Sequence, residues 1–339
     1  MATFRFGIIG PGMIAGALAN AIGKSKNATL TAVSSRRLAN AKAFAAKYPG
    51  AIPCEGVDAL LARPDVDAVY IATPTTAKEP IALQAIASGK HVLVEKPFAD
   101  AKSVERMTSA AAARGVLFMD ATHFVHHPRT AAIQSALASR LGSPRSLHTA
   151  FYFPLSDRSN IRFDRTLEPA GVLGDLGWYS ARAIVEYLRP QRKVSKALTV
   201  TELDPPTGTI IRAAGLIAFD GREVSTFDVG FTCPTVIMDL QLTGTNGVVA
   251  MDDFVLDWSG SWSFKDPALK AGYTYRTKMA TRRDVQFIET PASIAQEVQM
   301  IDSFAEIARS GDERRRSAHA AATLRTQEIL DAMWTAANQ

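Results

Sequence analysis

Three groupings of side chains in this sequence could do chemistry. The first is an ammonium, Lys96, in the run His91-Val92-Leu93-Val94-Glu95-Lys96-Pro97-Phe98, just past a short apolar stretch with strand character. If that strand is parallel and buried, Lys96 lies at the carboxyl edge of the sheet, where ligands of open α/β sheets bind. An ammonium there can hydrogen-bond a substrate oxygen and stabilise a developing alkoxide; a surface lysine reaching into solvent has the same signature. The second grouping is Asp175 and Tyr179 in Gly171-Val172-Leu173-Gly174-Asp175-Leu176-Gly177-Trp178-Tyr179. Asp175 can cap a helix, and a phenol four residues on projects from the same face. A cap and a packing tyrosine would read alike, but beside a lysine a tyrosine is a competent proton donor, because the cation favours phenolate. The third is a turn, Gly10-Pro11-Gly12-Met13-Ile14-Ala15, between the apolar strand Phe4–Ile9 and a helix over Ala15–Ile22.

That turn has the spacing of a dinucleotide site. The first glycine turns the chain, the second lets a pyrophosphate approach the backbone, and the third small residue lets helix and strand pack closely. Gly10, Gly12, Met13 and Ile14 are therefore expected at the phosphates. The next strand ends Val33-Ser34-Ser35-Arg36-Arg37, with no carboxylate where an NAD site usually binds the ribose diol. Ser35 can hydrogen-bond a 2′-phosphate, and Arg36 and Arg37 can pair with it, so the cofactor expected is NADP(H). Two solvated arginines at the start of a surface helix would look the same.

His123 and His127 have helix-like spacing with Asp120 nearby, which invites a metal reading. Pro128 argues against a continuous helix, so no metal is expected. His127 is taken as a candidate substrate contact, with packing as the alternative. Of Arg158, Arg162 and Arg165 in the loop before Asp175, Arg162 is the best candidate to reach substrate.

The elements that must position these residues alternate. Strands at Phe4–Ile9, Thr29–Ser34, Ala68–Ala72, His91–Val94 and Val116–Ala121 are interleaved with helices at Leu38–Lys47, Gly56–Leu61, Glu79–Ser88 and Ala101–Ala113. This pattern implies a doubly wound parallel sheet. Helices are then expected at Arg129–Leu141 and Asp175–Leu188. From Lys193 to about Trp262 strand follows strand, with turns at Asp220-Gly221 and Asn246-Gly247. Helices over Ser293–Ala308 and Ala318–Ala336 close the chain. The fold class is α/β: an N-terminal Rossmann domain over 1–122, then an α+β domain over 123–339 built on a large, open, mainly antiparallel sheet. The last helix is able to pack back on the first domain.

At 339 residues, with 47% hydrophobic and 21% charged side chains, two cored domains are comfortable. A net charge of +5 suits a phosphorylated cofactor as well as nucleic acid. The densest basic cluster, Arg314-Arg315-Arg316, reads as a solvated loop, without zinc spacing or interleaved aromatics, so no nucleic-acid partner is expected. Cys54 and Cys233 have no metal-knuckle spacing and read as small buried side chains in a reducing compartment. Met1-Ala2-Thr3-Phe4-Arg5 leads straight into a strand, and no apolar run is long enough to span a bilayer. A cytoplasmic protein without a membrane partner is expected.

These motifs, with Ala72-Thr73-Pro74 and Gly89-Lys90-His91-Val92-Leu93-Val94-Glu95-Lys96-Pro97, run in the order and spacing of one family. The chain resembles the glucose–fructose oxidoreductase/inositol dehydrogenase (Gfo/Idh/MocA) family over essentially its whole length. It is most similar to the branch with tyrosine at the catalytic position, which includes dimeric dihydrodiol dehydrogenase and glucose–fructose oxidoreductase. The resemblance implies Lys96 beside the reacting carbon, Tyr179 as acid/base and Asp175 as an orienting group. It also implies Thr73 and Pro74 lining the cofactor cleft, Glu95 and Lys96 near the nicotinamide ribose, and a dimer or tetramer formed through the C-terminal sheet. The sequence departs from the family at Thr75-Thr76-Ala77-Lys78, where Asn and then a histidine are common, and at Val125, where an arginine is common. The expected activity is NADP(H)-dependent interconversion of a secondary alcohol and a carbonyl on a sugar, polyol or cyclic diol. An NADP(H)-binding sensor without turnover is the alternative, and retention of Lys96, Asp175 and Tyr179 together speaks against it.

Overall fold

The computed structural model describes residues 3–261, 264–279 and 281–339. Met1 and Ala2, read as leading into the first strand, and Trp262, where the expected run of strands ends, lie outside the described residues. The chain gathers into two compact units: one holds the chain through His123 together with Gln296–Leu324, the other Phe124–Ala295 and Arg325–Gln339. The chain thus passes from one unit to the other after His123, after Ala295 and after Leu324. The helix Gln296–Ser310 returns to the first unit because its apolar face, with Val298, Ile301, Phe304 and Ala305, is buried there.

The first unit is a six-stranded parallel sheet built from β1 (Phe4–Ile9), β2 (Ala28–Ser35), β3 (Ile52–Glu55), β4 (Ala68–Ile71), β5 (His91–Val94) and β6 (Phe118–Asp120). Helices α1 (Met13–Lys24), α2 (Leu38–Ala45), α3 (Gly56–Leu61), α4 (Thr75–Ala87) and α5 (Ala101–Arg114) make the crossovers. The order β3-β2-β1-β4-β5-β6 reverses between β1 and β4, the switch point where such sheets open a crevice. All four residues of β4 are buried, as a strand covered on both faces requires.

Two features of this unit differ from the reading of the sequence. β3 was not expected: it is an edge strand of four residues, two of them exposed, and Pro53 is tolerated because β2 is its only partner. Helix α4 begins at Thr75 rather than Glu79, one turn before Pro80, with the Ala77 N–H closing onto the Pro74 carbonyl. That earlier start places Thr75 and Lys78 on the helix.

The second unit carries α6 (Pro128–Ala136), β7 (Pro144–Tyr152), α7 (Gly171–Asp175), α8 (Gly177–Ala183), β8 (Val194–Leu203), β9 (Ile210–Phe219), β10 (Val224–Gly230), β11 (Ile237–Gly244), β12 (Val248–Met251), β13 (Gly272–Arg276) and β14 (Gln286–Glu289). The strands form one sheet in the order β14-β13-β12-β11-β7-β10-β9-β8, antiparallel except where β7 and β10 run parallel. Helices α7 and α8 cover the face that buries Leu147, Phe151, Phe227 and Val229. Arg129 on α6 is 2% exposed and pairs with Asp253, donating as well to the carbonyls of Asp253 and Gly272, so its buried charge is met on several sides. The chain ends in α9 (Gln296–Ser310) and α10 (Glu313–Ala337).

The basic run Arg314–Arg316, read as a loop, is the first turn of α10. Asp312 accepts the Arg315 N–H, Arg315 pairs with Glu306, and Arg316 donates to the carbonyls of Gly115 and Ala308. Cys54 is buried and Cys233 half-buried, and both are free. Among the described residues no helix is long and apolar enough to cross a membrane.

His91, at the start of β5, accepts the Leu117 N–H at its Nδ1 (2.9 Å), which requires that nitrogen to be unprotonated. Burial first, and then the Arg316 charge, push its pKa down to about 4, against the opposing pull of Asp67. An unfolded histidine titrates near 6.5. Between these values the unfolded chain binds the extra proton, so the stability this group provides is whole above about pH 6.5 and drains away as pH falls toward 4. The Tm of the wild type should therefore fall more steeply from pH 7 to 4.5 than that of His91→Asn, whose amide oxygen can still accept the Leu117 N–H. Parallel curves in a calorimetric pH series would contradict this.

Candidate active site

At the carboxyl edge of the first unit's sheet, β1 ends at Ile9 and the chain turns at Gly10 with φ +90°. A Cβ on Gly10 would sit 3.0 Å from the Ala72 carbonyl oxygen, so both the conformation and the space demand glycine. The Ala72 N–H donates to Ile9 O (2.9 Å) and the Gly10 N–H to Ser34 O (3.1 Å), lashing the ends of β1, β2 and β4 together. Gly12 is extended, a Cβ there would meet nothing within 4 Å, and no side chain caps α1. Met13 is 77% and Ile14 43% exposed. The Thr73 hydroxyl is buried with no hydrogen-bond partner among the described residues. Uncapped N–H groups at a helix start, open space beside Gly12 and an orphaned hydroxyl fit the pyrophosphate and neighbouring groups of a dinucleotide. Ser35 closes β2, accepting the Arg37 N–H, and Arg36 and Arg37 are exposed.

Lys96 follows β5 at the same edge. The Glu95 N–H donates to Ile71 O (3.0 Å), and the Glu95 carboxylate accepts the hydroxyl of Tyr70, which lies on buried β4. The lysine's own carbonyl accepts from Lys78 Nζ at 3.0 Å, and the Pro97 carbonyl accepts from the same nitrogen at 2.8 Å. Sequence reading missed both Tyr70 and Lys78 as supports. Tyr70 was detectable as the one polar tip in an otherwise apolar strand. Lys78 was noticed only as a departure from the family.

His123 Nδ1 lies 2.8 Å from Gln296 Nε2. Burial, with the Lys96 charge acting in the same direction, pushes the His123 imidazole down to about 3. Asp120 accepts from the Thr122 N–H, its hydroxyl, and the Thr323 hydroxyl. Among the described residues no group of three His, Cys, Asp or Glu side chains is placed to hold a metal ion.

The second unit assembles a different cluster. Arg162, in a short 3-10 turn capped by Asn160, donates to Asp175 Oδ2 from Nε (2.5 Å) and to Oδ1 from Nη2 (3.2 Å). Asp175 holds the guanidinium well above its ordinary pKa against burial, and Glu168 and the Tyr179 oxygen add to the same field. Tyr179 itself is 7% exposed, its ring edge-on to Phe151 at 5.4 Å and tilted against Phe124 at 6.3 Å. The cap, the alternative reading of Asp175, is not made. Asp175 is the last residue of α7, and α8 starts after Leu176 with no side-chain cap, because Arg162 claims the carboxylate. Arg162 thus lies beside Asp175 and Tyr179, whereas Arg158 pairs with Asp204 and Arg165 lies against Gly208.

His127, read as a candidate substrate contact, is instead a buried cap. Its Nδ1 accepts the Arg129 N–H at the start of α6, and its side chain is 1% exposed, with Nε2 3.9 Å from Asp257. Burial and the Arg129 charge push it down to about 4 despite Asp257. Pro128 takes the first helical position, where it needs no N–H partner.

Comparison with known proteins agrees with this geometry. The model of the Gfo/Idh/MocA oxidoreductase family, NAD-binding Rossmann fold, matches residues 4–122, and the family's C-terminal domain matches residues 131–250. The chain is 31% identical over 324 residues to a dTDP-3,4-didehydro-2,6-dideoxy-alpha-D-glucose 3-reductase from Streptomyces violaceoruber, covering 91% of this chain and 87% of that one. It is 30% identical to the scyllo-inositol 2-dehydrogenase (NADP(+)) of Bacillus subtilis over 73% of this chain and 76% of the relative. Among solved structures, a 3-ketoreductase from Actinomadura kijaniata in complex with NADP and TDP-benzene superposes with a TM-score of 0.86 at 26% identity, over 99% of this chain and 98% of that one. With a parallel dinucleotide-type sheet, a mainly antiparallel second sheet and matches to both family domains, the chain belongs to the Gfo/Idh/MocA family of oxidoreductases.

Proposed function

We propose that this oxidoreductase interconverts a secondary alcohol and a ketone on a sugar or polyol ring, using NADP(H), with Lys96 and Tyr179 as its proton relay. The bound cofactor supplies or accepts the hydride. Gly10, Gly12, Met13 and Ile14 would hold its pyrophosphate, Ser35, Arg36 and Arg37 its 2′-phosphate, and Thr73, Pro74 and Glu95 the groups beyond. The Thr73 hydroxyl, buried and orphaned, supports that assignment.

The observation that carries the proposal is the Arg162–Asp175–Tyr179 cluster. A phenol packed on two aromatic rings is held in one orientation, while a guanidinium beside it favours negative charge on its oxygen. That suits a group which gives its proton to a forming alkoxide and takes it back in the reverse direction. Lys96 adds positive charge at the substrate oxygen, stabilising alkoxide more than ketone. Asp175 keeps Arg162 in place and offsets its charge. Relatives that act on a deoxysugar nucleotide and on an inositol support a ring-borne substrate.

A homo-oligomer formed through the second unit's sheet accords with the apolar residues exposed on β8: Leu198 at 56% and Val200 at 72% share one face. The two free cysteines suit a cytoplasmic location.

Cofactor choice tests the first half of the proposal. Each charge-assisted contact to the 2′-phosphate is worth roughly 1.5–3 kcal/mol, so NADP(H) should bind at least about tenfold more tightly than NAD(H). Arg36→Ala should erode the difference; calorimetric titration giving equal affinities for the wild type would contradict it. Tyr179→Phe tests the second half. It removes only a hydroxyl, so NADPH affinity and Tm should hold while kcat on the best ketosugar falls about 10²–10⁴-fold. A near-normal kcat would reduce Tyr179 to a packing residue.

A further inference from the structure

Lys78 is a cation placed where water does not reach. It is 2% exposed on α4, and its Nζ donates to three oxygens: the Thr75 hydroxyl one turn back (3.2 Å), the Lys96 carbonyl (3.0 Å) and the Pro97 carbonyl (2.8 Å). Burying an ammonium is unfavourable unless its donors are met. Here two of the acceptors are successive main-chain carbonyls of the segment that carries Lys96. Bonds to a charged donor are the stronger class, and a helix is a rigid mount for it. The neighbouring residue is pinned separately: the Glu95 carboxylate accepts the Tyr70 hydroxyl from β4, and its N–H donates to the Ile71 carbonyl.

We infer that Lys78 is a positioning residue for Lys96, fixing through its carbonyls the backbone from which the Lys96 side chain springs. The inference rests on the reading of Lys96 as the cation at the substrate oxygen. Nothing in it requires Lys78 to touch substrate or cofactor. Its cation replaces with main-chain hydrogen bonds the freedom that a loop following a sheet strand would otherwise have. The rate penalty for losing it is one of geometry, because a displacement on the order of 1 Å at a reacting group can cost about 10²-fold in rate.

The test is a double-mutant cycle. Lys78→Met, Lys96→Met and the double variant are compared for kcat on a ketosugar, for NADPH Kd by fluorescence titration, and for Tm. Lys78→Met is expected to lower kcat about 10–100-fold while NADPH Kd moves less than about threefold. In the Lys96→Met background the same change is expected to cost less than about threefold more, because the residue it serves is already gone. Lys78→Gln, which keeps an amide donor for one carbonyl, is expected to retain more kcat than Lys78→Met. If Lys96→Met leaves kcat intact, the catalytic reading of Lys96 fails, and this inference with it. If Lys96→Met is slow but Lys78→Met keeps the parental kcat, or the two losses simply multiply, the positioning role alone is overturned. If neither Lys78→Met nor Lys78→Gln folds, the cation serves the fold rather than Lys96, and the inference is likewise overturned.

Discussion

The close passage of Gly10 beside Ala72 is the constraint on which the cofactor side of this protein depends. Parallel strands end together at one edge of a sheet, so β1, β2, β4 and β5 deliver Gly10, Ser35, Thr73 and Lys96 to the same side of the first unit without any loop having to travel. Gly10 can make its turn only because it has no Cβ, since one would lie 3.0 Å from the Ala72 carbonyl. The cross-strand bonds from Ala72 to Ile9 and from Gly10 to Ser34 hold that edge together. A larger residue at Gly10 would be strained by its φ of +90° and would crowd the Ala72 carbonyl at the point where the sheet reverses order.

The second unit solves a different problem, the orientation of a phenol and a carboxylate. Asp175 is part-buried and would be a poor acid to bury alone, but Arg162 meets both of its oxygens. The same guanidinium also donates to the Asn160 side chain, so the turn that carries it is tied to the pair. Arg162, read from the sequence as a candidate substrate contact, is placed by this pair beside Asp175 and within the electrostatic reach of Tyr179. A comparable arrangement, Arg129 with Asp253, secures α6.

Much of this is legible in the sequence. The doubly wound sheet, the glycine turn, the serine–arginine end of β2 and the Lys96 edge follow from short apolar strands, Gly–Ala spacing and turn residues, all local signals. What was not legible depends on partners distant in sequence. Strands β7, β13 and β14 went unnoticed although β7 sits in the middle of its sheet, between β11 and β10. Its alternation, with His148 exposed between buried Leu147 and Thr149, is that of a strand, but Pro144 and Arg145 obscure its start. Asp175 reads from the sequence as an orienting group or equally as a cap, because nothing nearby announces that Arg162, 13 residues earlier, takes it. Lys78 stands out in the sequence only as a departure from the family, just ahead of the expected helix, and only the fold shows its ammonium turned onto the carbonyls that follow β5.

The central claim is that this chain passes a hydride between NADP(H) and a ring carbonyl rather than merely binding the dinucleotide. The most direct measurement uses NADPH carrying deuterium at the transferable position, incubated with the protein and a panel of ketosugars, nucleotide-linked ketosugars and inosose-type cyclic ketones. Nuclear magnetic resonance of the products should show the label on the new carbinol carbon, with matching loss of NADPH absorbance at 340 nm. Tight NADPH binding with no label on any product across the panel would contradict the account and leave a dinucleotide-binding protein without turnover.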